Sequence, residues 1–174
     1  TTAKQLFWLR QYTEEQKLLR HKPLLLCGKS RSGKTKKACS IYGQSRTLVV
    51  NCQGLGKNLP SLREFRRSEH NCIVFDEISS DQVLANKLVF QAGIDKLTLA
   101  QSQCNTHAYD VWLYAVPMIL CSNMFQMESL PNAPMAAEDV EYLAKNVIDA
   151  SLPDGKSWYE VDGEPFSEDD AELP

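Results

Sequence analysis

The sequence contains few of the residues that would direct it to a metal, a membrane or a fibrous class. Its 3 histidines are scattered and its 6 cysteines never form a CxxC pair, which argues against a zinc site and favours a reduced intracellular core. No apolar run approaches the roughly 18 residues of a membrane helix, and no signal segment opens the chain. With only 8 glycines and 8 prolines in 174 residues, collagenous and low-complexity classes are excluded. An intracellular globular protein without a membrane partner is predicted.

Charge is distributed unevenly along the chain. Residues 1–123 carry 17 Lys or Arg against 9 Asp or Glu, whereas residues 124–174 carry 2 against 13. A basic body suits a phosphate-rich partner, and an acidic end is typical of a solvated or interacting segment. The two parts of the chain are therefore expected to play different roles.

Short apolar runs alternate with helical patterns. The runs at 24–27, 47–51, 72–75 and 117–121 lack the period of two, which is typical of strands buried on both faces of a parallel sheet. Helices are predicted at 34–42 and at 81–92, the second opened by a possible capping box of Ser79 and Gln82. Strands that alternate with helices predict an α/β fold with a parallel sheet flanked by helices.

The two ends differ from this central pattern. An opening helix is predicted over 1–22, the core over 23–125, and an acidic extension over 126–174 with a helix at 136–150 and a hairpin turn at Asp162-Gly163. Trp158, Tyr159 and Phe166 indicate that part of this extension is packed, and the last eight residues are expected to be loose. The chain begins with Thr1 rather than Met, so a piece of a longer protein is expected.

The segment 28–35 reads GKSRSGKT, which fits G-x-x-x-x-G-K-[ST] directly after a predicted strand and before a predicted helix. Backbone N–H groups of such a loop surround phosphate oxygens, and the helix N-terminus adds partial positive charge. The predicted nucleotide-binding residues are Gly28, Lys29, Ser30, Arg31, Ser32, Gly33, Lys34 and Thr35. Lys34 would reach the β- and γ-phosphates of ATP and Thr35 would ligate Mg²⁺.

Polar residues follow two further strands. Asp76 and Glu77 follow the run 72–75, where the first carboxylate can hold Mg²⁺ and the second can act as general base. Asn123 ends the segment 117–123 (PMILCSN) and could orient the attacking water, although an Asn at a strand tip is also a common turn residue. Lys34, Asp76, Glu77 and Asn123 are therefore the candidate catalytic residues.

The order GKSRSGKT, IVFDE and MILCSN, at compact spacing, resembles superfamily 3 helicases. The likeness spans roughly residues 22–125 and is greatest to replication-initiator (Rep) proteins of circular single-stranded DNA viruses and their relatives. It implies a P-loop NTPase core of the ASCE or AAA+ type, with ATP and Mg²⁺ as cofactors. It also implies a homo-oligomeric ring that translocates single-stranded nucleic acid, with DNA favoured over RNA. A viral protein of this kind would act in the host nucleus or cytoplasm.

The resemblance also guides the search for nucleic-acid contacts. Residues 88–109 are similar to the family's motif B prime, but Gln101-Ser102-Gln103 stands near its usual lysine, which leaves Lys96 as a displaced candidate. Such rings complete a neighbour's site with an arginine, yet no arginine follows position 67. Either this arginine is absent, or the candidates for the role are Arg46, Arg63, Arg66 and Arg67. The last three form the densest basic patch and could instead contact nucleic acid or lie on a solvated helix face.

Two other functions use the same loop. A small-molecule kinase would need an arginine-rich lid, which the absence of late arginines disfavours. A non-catalytic nucleotide-binding assembly module, with the acidic extension folded on the basic body, is the other alternative. The family's nicking endonuclease has no counterpart among these 174 residues.

Overall fold

The computed structural model describes residues 2–13, 17–100 and 108–161. The strands in these ranges are β1 (Leu24–Cys27), β2 (Thr47–Asn51), β3 (Cys72–Asp76), β4 (Leu97–Leu99), β5 (Tyr109–Val111), β6 (Met118–Ser122) and β7 (Ile148–Asp149). The helices are α1 (Ala3–Arg10), α2 (Lys34–Tyr42), α3 (Ser80–Ala85), α4 (Lys87–Phe90), α5 (Ala137–Asn146) and α6 (Trp158–Val161), with a 3₁₀ turn at Gln44–Arg46.

Five strands form a central parallel sheet in the order β2-β3-β6-β1-β7. The predicted α/β class is confirmed, and so are the four predicted strands within a residue at their ends. The register pairs Asp76 with Asn51 on one side and with Cys121 on the other, and it pairs Cys27 with Ser122. The carboxyl ends of β1, β3 and β6 therefore meet at one edge of the sheet.

Apolar side chains cover both faces of this sheet. On one face Leu25, Phe75 and Leu120 join a cluster that contains residues of α3, α4 and α5. On the other face Leu26 and Val74 join a cluster that contains Trp8 of α1, Ala38 of α2 and Trp158 of α6. Burial on both faces explains why the strands read as continuous apolar runs rather than as alternating ones.

The predicted helices at 1–22 and 81–92 are wrong in extent. The first ends at Arg10, because the side chain of Gln11 bonds the backbone of Lys22 at 2.9 and 3.1 Å and turns the chain. The second is divided at Asn86, whose side chain donates to the carbonyl oxygens of Gln82 and Lys57 at 2.8 and 2.9 Å. The capping box of Ser79 and Gln82 is confirmed.

The chain after residue 125 also differs from its prediction. Helix α5 stops at Asn146, and the next residues leave it to pair with β1 as the edge strand β7. Residues 158–161 form a helical turn where a strand of a hairpin was predicted. Residues 162–174, with the predicted Asp162-Gly163 turn and the acidic end, lie outside the described residues.

A small antiparallel pair of strands, β4 with β5, was not predicted. It flanks residues 101–107, so the predicted position of the motif B prime lysine lies outside the described part of the chain. Within the described ranges, no helix is long and apolar enough to cross a membrane.

Candidate functional site

The segment 28–35 leaves β1 at the carboxyl edge of the sheet and enters α2. The N–H of Gly28 donates to the carbonyl oxygen of Ser122 at 3.0 Å, which ties the start of this segment to the end of β6. Arg31 has φ +61° and Gly33 has φ +85°. These two left-handed residues reverse the chain within six positions, and the glycine does so without steric cost. We call residues 28–35 the glycine loop.

The ammonium of Lys34 lies inside the glycine loop. Its Nζ donates to the carbonyl oxygens of Gly28 at 2.9 Å and of Lys29 at 2.6 Å, and lies 3.4 Å from Ser32 Oγ. Burial lowers the pKa of Lys34, and the negative groups around it, Glu77 and Asp76 included, oppose that shift. A buried cation is thus held by neutral carbonyl oxygens, which an anion can replace.

Thr35 and Asp76 are brought together by the start of α2 and the end of β3. The hydroxyl of Thr35 donates to Oδ1 of Asp76 at 3.1 Å, and the N–H of Glu77 lies 3.2 Å from the same oxygen. The two residues are 41 positions apart in the sequence and meet because β1 and β3 end at the same edge of the sheet. Hydroxyl and carboxylate oxygens are ligands that Mg²⁺ accepts, together with phosphate oxygens and water.

Glu77 and Asn123 face each other beside this pair. The amide nitrogen of Asn123 lies 3.4 and 3.5 Å from the two carboxylate oxygens of Glu77. Glu77 has φ +55°, an unusual conformation for a residue with a side chain. The amide oxygen of Asn123 is buried and has no hydrogen-bond partner within the described structure. The amide oxygen of Asn123 can therefore accept a hydrogen bond from a small polar ligand.

A cavity of about 580 Å³ connects these groups. It is lined by the glycine loop and α2 and by Asp76, Glu77, Asn123 and Tyr159. A second cavity of about 770 Å³ lies on the other side of the loop, against residues 149–158. Every predicted catalytic residue, namely Lys34, Asp76, Glu77 and Asn123, lines the first cavity.

Comparison with known proteins gives this site no relative. A scan against protein-family models matches no family, and a search of curated proteins finds no significant match. Assignment of a function consequently depends on the residues and their geometry.

Sequence reasoning did not place Trp158 and Tyr159 at this site. Trp158 is 2% exposed, which confirms that part of the acidic extension is packed. The backbone N–H of Trp158 donates to the carbonyl oxygen of Ser32 at 2.9 Å, and Tyr159 lines the cavity. The aromatic residues of the extension signalled packing, but no local pattern identified the surface on which they pack.

The predicted nucleic-acid residues lie elsewhere. Arg63, Arg66 and Arg67 are exposed in turns that lead into the amino end of β3, so they lie at the edge of the sheet opposite the cavity. The alternative of a helix face is wrong, because no helix forms there in the described chain. Lys96 lies 3.3 Å from the carboxylate of Asp110, and the pair is exposed.

Aromatic rings accompany two of these arginines. The guanidinium of Arg67 lies 4.8 Å from the ring centroid of Trp112 and donates to the carbonyl oxygen of Tyr114 at 2.9 Å. Arg63 lies 4.8 Å from the ring of Tyr109. Trp112 is 50% exposed, and no sequence signal had connected it to the basic residues. The guanidinium of Arg46 donates hydrogen bonds to the carbonyl oxygen of Ser68 and to Oδ1 of Asn71.

Proposed function

We propose that this chain is a Mg²⁺-dependent NTP hydrolase that works on single-stranded nucleic acid, in the manner of the superfamily 3 helicases it resembles. The observation that carries the proposal is the bond from the Thr35 hydroxyl to the Asp76 carboxylate at 3.1 Å. It joins the end of the glycine loop to the acidic strand end, as a nucleotide–metal site requires.

Phosphate binding follows from the loop and from Lys34. The N–H groups at the start of α2 and the helix dipole favour negative charge, and the ammonium adds a full positive charge. The Lys34 ammonium would exchange the carbonyl oxygens of Gly28 and Lys29 for phosphate oxygens, which are stronger acceptors. Lys34 would therefore contribute to nucleotide binding more than to the stability of the fold.

Thr35 and Asp76 fit the role of Mg²⁺ ligands, since both present oxygen atoms at the mouth of the loop. When bound there, Mg²⁺ would neutralise charge on the β- and γ-phosphates. Glu77 lies next to Asp76, and in this proposal it accepts a proton from the attacking water. Asn123 donates toward that carboxylate, and its buried oxygen is available to the same water. In this proposal Thr35 and Asp76 bind Mg²⁺, and Glu77 and Asn123 act on the attacking water.

Replacing Asn123 by alanine is expected to leave ATP affinity nearly unchanged and to lower kcat by about tenfold or more. A group that orients water acts on the chemical step rather than on ground-state binding. Nucleotide titration and steady-state hydrolysis measure the two effects separately. Loss of binding with normal turnover per bound nucleotide would return Asn123 to the role of a structural turn residue.

The surface of Arg63, Arg66 and Arg67 is proposed to contact nucleic acid. Changing Arg66 and Arg67 to glutamate is expected to weaken binding of single strands and to flatten the salt dependence of log K by roughly 0.7 per lost phosphate contact. Changing Arg10 and Arg20, two exposed arginines outside this surface, to glutamate makes the same change in net charge and is the control. An unchanged slope in the double variant, with an unchanged melting temperature, would contradict the assignment.

The whole proposal is tested by ATP turnover with and without single-stranded DNA or RNA. Stimulation by one of them supports a helicase-type motor, whereas turnover that ignores both and phosphorylates a small acceptor supports a kinase. Nucleotide binding without any turnover would leave only the nucleotide-binding assembly module. Mass measurement with an ATP analogue and an oligonucleotide reports whether a ring forms.

A further inference from the structure

The segment 157–159 lies directly on the glycine loop. The backbone N–H of Trp158 donates to the carbonyl oxygen of Ser32 at 2.9 Å. This bond connects the first βα connection to the last described helix. The Trp158 side chain is 2% exposed and belongs to the same apolar cluster as Leu24, Leu26 and Ala38. The segment is therefore anchored on the sheet and reaches the loop from a fixed position. We call residues 157–159 the clasp.

Side chains of the clasp close on the loop at Gly33. A methyl group added at this glycine would lie 3.1 Å from the ring of Tyr159 and 3.4 Å from Cβ of Trp158. The ammonium groups of Lys36 and Lys37 lie 5.9 and 5.6 Å from the rings of Tyr159 and Trp158. The clasp thus contacts both the backbone turn of the loop and the first turn of α2.

The hydrogen bond to Ser32 has a direct effect on the next peptide group. In a planar trans peptide the C=O and N–H point in opposite directions, so fixing the Ser32 carbonyl also fixes the N–H of Gly33. The Tyr159 ring restricts the same glycine, whose φ of +85° is otherwise one of many accessible values. The clasp consequently removes conformational freedom from the part of the loop that would surround phosphate.

We propose that the clasp holds the glycine loop ready for phosphate, with Trp158 and Tyr159 as positioning residues. The inference rests on the proposed function, because it assigns the clasp to the same phosphate site. Ordering a loop before binding lowers the entropy lost on binding, and holding the backbone of one residue in a single conformation is equivalent to roughly fivefold or more in affinity. Loss of the Tyr159 contact is expected to weaken phosphate binding by about five- to tenfold through the loop, without removal of any group that touches phosphate.

The test compares Tyr159→Ala with wild type in the full chain, using ADP and inorganic tripolyphosphate as two probes in calorimetric titrations. Tyr159 is only half buried, so this variant avoids the unfolding expected of a change at Trp158. Tyr159→Phe keeps the ring. Tyr142→Ala is the control, because Tyr142 is also half buried but packs against Lys87 on the other face of the sheet.

Tyr159→Ala should weaken both probes by the same factor, while Tyr159→Phe and Tyr142→Ala should bind as wild type does. Amide hydrogen exchange should also become faster at residues 32–35 and stay unchanged in β1. A loss for ADP alone would show that the ring contacts the nucleoside, and equal binding by all variants would show that the loop is positioned without the clasp; either result overturns the inference. If wild type binds neither probe, the proposed function fails first and the clasp assignment with it.

Discussion

Lys34→Ala should lower the affinity for ATP by about a hundredfold or more. Each hydrogen bond from a charged donor contributes roughly 1.5–3 kcal/mol, and the ammonium would make more than one to the β- and γ-phosphates. The fold should persist, because the carbonyl oxygens that Lys34 now contacts belong to the loop rather than to the sheet. Titration of nucleotide and thermal unfolding measure the two properties.

Lys145→Ala is the matched control, since this exposed lysine pairs with Glu141 on α5 and lies outside the cavity. Both variants lose one positive charge, so a general electrostatic effect would weaken them equally. Wild-type turnover in Lys34→Ala would refute the assignment of the glycine loop as the phosphate site.

Glu77→Gln should retain Mg-ATP and slow its hydrolysis by on the order of a hundredfold or more, which is the usual contribution of a general base. Glutamine preserves the shape of the side chain and can still contact the Asn123 amide, so the local backbone at φ +55° is unchanged. Single-turnover hydrolysis with saturating nucleotide isolates the chemical step.

Asp76→Asn provides the contrast for this experiment. This variant should raise the Mg²⁺ concentration that is needed for nucleotide binding, because a neutral amide is a weaker metal ligand than a carboxylate. The amide oxygen of Asn can still accept the hydrogen bond from Thr35. If Glu77→Gln lost metal dependence and Asp76→Asn lost only turnover, the two carboxylates would exchange roles.

The parts of the fold that were predictable are those whose signal is local. Leu24 to Leu26 and Cys72 to Phe75 are buried on both faces, so their composition alone identified them as interior strands. The candidate site followed from two such strands, because Asp76 ends β3 and Asn123 follows β6. Parallel strands bring such positions to one edge, whatever their separation in sequence.

The parts that were not predictable depend on contacts between distant segments. The helical pattern of residues 1–22 continued past Arg10, but the bonds between Gln11 and Lys22 turn the chain there. Ile148 continued the period of α5 and yet pairs with Leu24 in β1. The contact of Trp158 with Ser32 likewise has no local signal, since it joins the first βα connection to the last described helix.

The short edge strand β7 has a consequence for how the molecule opens. It pairs with β1 over two residues only, whereas β3 and β6 are paired along their length on both sides. Segments with few ladder bonds are the first to detach in sub-global unfolding. Separation of β7 would loosen the chain between α5 and the clasp and so weaken the support of the Ser32 carbonyl, while the interior strands would keep Asp76 and Asn123 together. The proposed nucleotide site is thus built across a cooperative boundary, with Asp76 and Asn123 on the persistent side and the support of the glycine loop on the labile one.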